Sequence, residues 1–228
     1  HIQLTSNIIG IKGDISVTPI GKAIADYPSI LETIKKHNFV KKTSPIVSGQ
    51  ALALGPKTNS GVLIKGIDLV DLKNKGEILT NVFQGSFEGY EGTTALAVGA
   101  ELAHNLGVSV GSKIKLISPN VISTTFGTMP RSKDFTVIAI FSSGLYDYDS
   151  ATMVMPVSAA QKFLSLGEEI NLIEINVDNP ELAKAYASLL QKELGPGVRV
   201  SSWLDSNQQF LKALEIERTA MFTILSLI

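Results

Sequence analysis

KIKLISPNVISTTFGTMPRSKDFTVIAIF, residues 113–141, decides how the chain is built. Its ends, KIKLIS and FTVIAIF, are rich in isoleucine and valine and read as paired antiparallel strands. Such strands are ordinarily joined by about two to five residues, and connections beyond about 12–15 are uncommon unless functional or disordered. The stretch between, SPNVISTTFGTMPRSKDF (118–135), therefore reads as a long functional loop. Pro119 and Pro130 lack amide donors and are expected to stop the strands zipping further, holding the arms apart. Between them Thr124, Thr125 and Thr128 favour extended backbone, Gly127 permits a bend, and Phe126 and Met129 flank it. An aromatic ring and a thioether at a tip suit a protein-protein anchor, or side chains folded back on the body; composition leaves both open. At the base Lys113, Lys115, Arg131 and Lys133 form a basic collar, suited to steering an acidic partner or to an ordinary solvated face.

The 228 residues, 44% of them hydrophobic, are enough to fill a sizeable core. A net charge of −1 gives no general attraction to nucleic acid or anionic lipid, so a charged partner must be met by a local patch. With no cysteine, a disulfide framework, a CxxC zinc site and a thiol nucleophile are excluded. The last nine residues, AMFTILSLI (220–228), are apolar but far short of the ~20 a spanning helix needs. Following the charged LEIERT, they read as the first turns of a transmembrane helix, with residues 211–228 as the connector into it, and HIQLTSNIIG (1–10) as the exit from an earlier one.

Working outward, GDISVTPI (13–20) reads as a strand, Tyr27-Pro28 opens a helix through SILETIKKHN, and FVKKTSPIVSGQALAL and GVLIKGIDL are extended. TNVFQGSFEGYEG is glycine-rich and irregular, TALAVGAELAHNL (94–106) has helical spacing closed by Gly107, and VSVGSKIKLIS leads into the loop. After FTVIAIF come an irregular SSGLYDYDS, the extended TMVMPV, a helix SAAQKFLSLG capped by Ser158 and stopped at Gly167, and the strand INLIEINVD. A helix from Pro180 to Gly195, the strand VRVSSW and a long helix from about Asp205 complete the chain. Two β-α-β-like halves around a helix-poor middle give an α+β body with an inserted lobe.

Catalytic groups are sparse. His37 and His104 stand near the ends of amphipathic helices without an HExxH pattern or acidic partners at metal spacing, and read as surface or cap histidines. GSFEG (85–89) lacks the spacing of a nucleophile elbow, so a hydrolase using Ser86 or His104 has little behind it. No phosphate-cradling glycine motif occurs. Asp147 and Asp149, in YDYD, are too few for Ca²⁺ and read as a polar turn. No catalytic residue, metal or cofactor is expected, and what remains is recognition, concentrated in the loop.

The motifs GTMPRxxxF, GLYxYD and WxxxN with a later ALxxE are together specific, and the run from Gly111 to Gly167 resembles the periplasmic domain of LolC/LolE-type permeases, the membrane subunits of lipoprotein-releasing ABC transporters. The resemblance extends to GIKGDISVTP near the start and SSWLDSNQQFLKALEIERTAMFTILSLI at the end. It implies a MacB-like periplasmic architecture: a Porter-like α+β lobe from residues 1–55 and 135–210, and a Sabre-like, mostly β inserted lobe from 56–134 bearing a hook at 118–135. It implies that Thr125, Phe126, Gly127, Thr128, Met129 and Pro130 form a hook for the periplasmic carrier LolA. Lys115, Ser132 and Lys133 would form a pad at its base. The related pattern has proline where this chain has Thr125 and a longer polar side chain at Ser132. The implied partners are LolA, a cytoplasmic LolD-type ATPase reached through transmembrane helices, a second LolC/LolE-type permease subunit and lipoprotein substrates. The implied location is the inner membrane of a Gram-negative bacterium, with this domain in the periplasm. A MacB- or FtsX-type permease domain that meets an adaptor or activator is the alternative.

Overall fold

The computed structural model describes residues 13–74, 81–124 and 127–205, with backbone alone at 74 and over 121–124 and 127–129. Both terminal segments read above as transmembrane connections lie outside these residues, as does most of the helix expected from Asp205.

β1 (Ile15–Pro19), β2 (Val40–Leu54), β9 (Leu172–Val177) and β10 (Val198–Ser202) form an antiparallel sheet in the order β10-β1-β9-β2. Helix α1 (Tyr27–Lys35) joins β1 to β2, and α6 (Ala183–Leu194) joins β9 to β10; each crossover straddles a strand of the other, making two interlocked split β-α-β units. The helices pack over the sheet through Ile34, Ala183, Ala187 and Leu190, all buried with Ile15 and Val17. Phe39 stacks flat on Tyr186, ring centroids 4.0 Å apart, where the end of α1 meets α6.

β2, 15 residues long, does not stop at this sheet. Its first half pairs with β9, while from Val47 to Leu54 it pairs with β3 (Asn59–Gly66). β3 pairs with β8 (Thr152–Met155), β8 with β5 (Ala95–Gly99), β5 with β7 (Gly127–Phe141), β7 with β6 (Lys113–Thr124), and β6 returns to β2. Six strands thus close into a ring. Closure removes free edges. Alternate residues such as Ala53, Ile64, Val98, Leu116 and Phe135 fill its interior. Helix α5 (Val157–Leu164) covers one end so tightly that a Cβ at Gly66 would lie 2.4 Å from Ala160 Cβ and one at Gly49 2.5 Å from Leu164 Cδ1. Helix α3 (Ala100–Leu106) covers the other, where the Leu106 carbonyl accepts from Lys57 N at 3.1 Å. Beyond the end of β6, β4 (Val82–Gly85) pairs with the last residues of β7, and α2 (Leu69–Asn74) buries Leu72 with Tyr90, Phe141 and Val154. Strand pairing therefore crosses the lobe boundaries expected at 55/56 and 134/135, because β2 serves both parts and β7 and β8 are staves of the ring.

Several local expectations change. Residues 94–106 are not one helix: Ala95–Gly99 are a strand buried at every position, followed by α3. A short apolar run buried on both faces carries no periodicity that separates strand from helix. The irregular SSGLYDYDS contains α4 (Tyr146–Asp149), and the carboxylate of Asp149 accepts from Ser142 Oγ (3.1 Å), Ser143 N (2.9 Å) and Ser143 Oγ (2.6 Å), tying that bend together. The N-cap of α5 is Pro156, not Ser158, and its left-handed C-cap is Ser165, not Gly167. α6 is preceded by a 3-10 turn over Pro180–Leu182 and ends at Gly195 as expected. α2 and β4 were not foreseen.

Gly99 is where β5 turns into α3, and a Cβ there would lie 2.2 Å from the Asp149 carbonyl oxygen. Backbone of α4 would have to retreat, so Gly99→Ala is expected to cost about 3 kcal/mol, the upper end of ordinary overpacking. A guanidinium unfolding midpoint equal to wild type would show instead that α4 yields freely.

Candidate partner-binding site

The stretch read as an open loop is a β-ribbon. β6 and β7 stay paired past both prolines, through Val121↔Pro130 to Thr124↔Gly127. Between Ile117↔Ser132 and Val121↔Pro130 the register shifts, so that three residues of β6 (118–120) face one of β7, Arg131. Pro119 falls inside this bulge, where no ladder donor is required. Pro130 lies in a two-stranded ribbon, in which each strand keeps one solvent edge that tolerates the missing N–H. The prolines therefore do not hold the arms apart.

Because β2 accompanies β6 only as far as Leu52↔Ile117, the ribbon leaves the ring unsupported by other strands and extends about 20 Å at the usual rise per residue. Of the hook residues, Thr125 and Phe126 lie outside the described residues. Gly127, Thr128 and Met129 belong to β7, and Pro130 is exposed.

A two-stranded hairpin alone is marginal in water, and this one is braced at its foot. Asn120 Nδ2 donates to the carbonyl of Leu164 at 2.8 Å, and Arg131 Nη1 donates to the carbonyl of Lys162. Both acceptors are among the last four carbonyls of α5, which have no partner within the helix, and the cation adds a favourable interaction with the helix's negative end. Ser118 Oγ accepts from Asn120 N at 3.2 Å, securing the bulge itself. The double variant Asn120→Ala/Arg131→Ala is expected to speed amide exchange over residues 121–129 by about thirtyfold, at roughly 1 kcal/mol for each of the two bonds lost. Unchanged exchange in a mass-resolved experiment would show that the ribbon holds itself up.

The pad residues are divided between two faces. Lys115 and Ser132 are exposed on the outer face of β6 and β7. Lys133 turns the other way: its Nζ donates to the Thr93 carbonyl at 2.6 Å and lies 5.3 Å from the centre of the Phe135 ring, whose edge meets Phe163 of α5. Burial, with the nearby Lys162 charge, holds the Lys133 ammonium below the usual lysine range. Of the basic collar, Arg131 and Lys133 are committed to backbone carbonyls, while Lys113 and Lys115 face solvent. The bracing role of Asn120 and Arg131 had no local signal, since their acceptors are 31 to 44 residues away.

Elsewhere the chemistry is structural. His37 Nε2 lies 2.6 Å from Glu193 Oε2, joining α1 to α6, and His104 and Ser86 are exposed. Among the described residues no group of three or more His, Asp and Glu is placed to hold a metal ion, and no helix is long and apolar enough to cross a membrane.

Residues 3–193 match the family described as the MacB-like periplasmic core domain. The chain is 27% identical over 228 residues to the lipoprotein-releasing system transmembrane protein LolC of Neisseria meningitidis, covering 99% of this chain and 55% of that protein. It is 25% identical to the LolC of Xylella fastidiosa, covering 99% and 54%. The chain thus spans about half the length of these relatives. Its fold is similar to that of the periplasmic region of MacB from Actinobacillus actinomycetemcomitans, with a TM-score of 0.53 at 17% identity over 92% of this chain and 98% of that one.

Proposed function

Because the chain belongs to the MacB-like periplasmic core domain family, we propose that it is the periplasmic domain of the membrane subunit of a lipoprotein-releasing ABC transporter. In this role it recruits a LolA-type carrier through the ribbon, so that lipoproteins extracted from the inner membrane are handed over. The relatives named LolC, aligned along 99% of the chain, supply the transport class. The observation that supports docking is the ribbon itself, which leaves a closed ring of strands and is fastened to α5 at its foot. A projecting hairpin held rigidly at one end presents its tip at little entropic cost, which favours tight association.

ATP hydrolysis is assigned to a separate LolD-type cytoplasmic subunit, and its effect would reach this domain through the transmembrane part and a second permease subunit. The direct test is calorimetric titration of the chain with purified LolA-type carrier. Saturable one-to-one binding is expected, and no heat at high micromolar concentration overturns the carrier assignment.

A further inference from the structure

KKHNFVKK (35–42) places four lysines within eight residues, and Lys35, Lys36, Lys41 and Lys42 are all exposed. The run closes α1 and opens β2 through a tight turn, in which Lys36 N donates to Thr33 O at 3.3 Å, His37 N to Ile34 O at 3.2 Å and Val40 N to His37 O at 3.0 Å. A register shift between Val40 and Lys42 then leaves Lys41 as a bulge in the ladder with β9. Phe39, stacked on Tyr186, anchors the turn from inside. The carboxylates around it are mostly engaged: Asp178 accepts from the Tyr186 hydroxyl at 3.3 Å, Glu193 lies 2.6 Å from His37, and Asp205 accepts from Ser202 Oγ at 2.8 Å. Glu32 and Glu181 are exposed, so the lysines leave this end positive.

We infer that this end of the sheet is a membrane-contact surface, its lysines taking the phosphates of anionic phospholipid headgroups. Two features select a membrane as the occupant. The first is where the turn lies. Ile15 pairs with Ser202 and Trp203 N donates to Asp14 O at 2.9 Å, so the points from which residues 1–12 and 206–228 continue are side by side. The Asp14 carboxylate accepts from Val177 N at 2.9 Å, Val177 pairs with Val40, and Phe39 O accepts from Asp178 N at 2.9 Å. The lysine turn therefore stands at that same end, two strand spacings or about 10 Å from β1. The outgoing segments carry Ile8, Ile9 and Ile11 on one side and AMFTILSLI on the other, the apolar stretches of the chain suited to lipid. The second feature is distance from the ribbon: β2 runs 12 residues from Val40 to Leu52, which pairs with Ile117 at the ribbon's foot, about 40 Å along the strand. A body held on the ribbon tip does not reach the lysines. The inference rests on the chain being a domain of a membrane subunit, and adds the surface by which that domain meets the bilayer.

The test co-sediments the chain and its Lys35→Gln/Lys36→Gln/Lys41→Gln/Lys42→Gln variant with vesicles of phosphatidylcholine, and with vesicles that also contain phosphatidylglycerol. All four side chains are exposed, so the variant folds, which circular dichroism and melting temperature check. AMFTILSLI is common to both proteins, so partition that it drives into neutral vesicles is the same for each. On anionic vesicles the variant is expected to bind at least about thirtyfold more weakly than wild type, which corresponds to about 2 kcal/mol, or two seated lysines. The difference should shrink as salt rises toward 0.15 M, where the screening length falls to about 8 Å. Equal binding of the two proteins to anionic vesicles, or no preference of wild type for anionic over neutral ones, overturns the inference. Both proteins are also titrated with the LolA-type carrier, and equal affinities are expected. If the variant loses the carrier rather than the vesicles, the lysines serve a protein partner and the inference is overturned. A chain that binds the carrier without preferring anionic vesicles sinks this inference alone. One that prefers them through these lysines yet ignores the carrier sinks the carrier assignment alone.

Discussion

Glu174→Ala is expected to destabilise the domain by about 3–5 kcal/mol, the loss typical when one partner of a buried ion pair is removed. The carboxylate of Glu174, on β9, receives Lys65 Nζ of β3 at 3.2 Å and 3.4 Å to its two oxygens, and the side chains are only 5% and 12% exposed. Glu174 pairs with Ser44 and Lys65 with Ser48, so the two side chains reach toward each other over β2 from its opposite edges. The bridge thus ties the four-stranded sheet to the ring where β2 passes between them. Nearby, burial and the charges of Glu174 and then Asp149 push the Tyr148 hydroxyl well above the tyrosine range. Removing the carboxylate takes the Glu174 charge away from an ammonium that is only 12% exposed. Lys65→Met combined with Glu174→Leu, which removes both charges, is expected to return close to wild-type stability. Guanidinium unfolding of the three proteins decides the matter: equal midpoints for wild type and Glu174→Ala would mean that water screens the pair.

Phe126→Glu is expected to weaken carrier binding by at least about thirtyfold, which corresponds to about 2 kcal/mol or more for a hot-spot aromatic. The chain sequence places a single aromatic in the ribbon, between Thr125 and Gly127, and the paired strands on either side are fixed by Thr124↔Gly127. A carboxylate there forfeits the apolar contact and must also be desolvated on docking. Lys115→Ala should act differently, lowering the association rate with a salt dependence, because an exposed cation steers more than it holds. Lys133→Ala should change binding chiefly through the ribbon's seating, since its ammonium is engaged by the Thr93 carbonyl. A Phe126→Glu protein whose affinity equals wild type, with the ribbon's amide protection intact, would sink the proposal that the tip is the anchor.

Much of this architecture could be read from neighbouring residues. Alternation marked β1, INLIEINVD and VRVSSW read as the strands β9 and β10, and Pro180 and Gly195 bounded the region of α6 because proline starts and glycine ends helices by their own backbone geometry. The error at 94–106 has the same root: Ala95–Gly99 is apolar throughout because both of its faces are covered, and a run without alternation has no period to reveal a strand. The prolines at 119 and 130 were misjudged because their cost depends on which edge of a strand they occupy, which pairing alone determines.

Without the structure the chain already showed the two strands at the foot of the hairpin, the threonine-rich stretch with Phe126 between them and the lack of catalytic and phosphate-binding motifs, together with the resemblance that named its relatives. These are properties of residue type and short spacing. Long-range pairing sets the rest: β6 returns to β2 and closes the ring, Asn120 and Arg131 reach the end of α5, and Lys133 points inward while Lys115 points out. Closure depends on which strands pair across many tens of residues, and a one-residue change of register exchanges the two faces of every strand. The side chains that brace the ribbon and those offered to a partner are the same residue types, and the fold sorts them by the face on which each one falls.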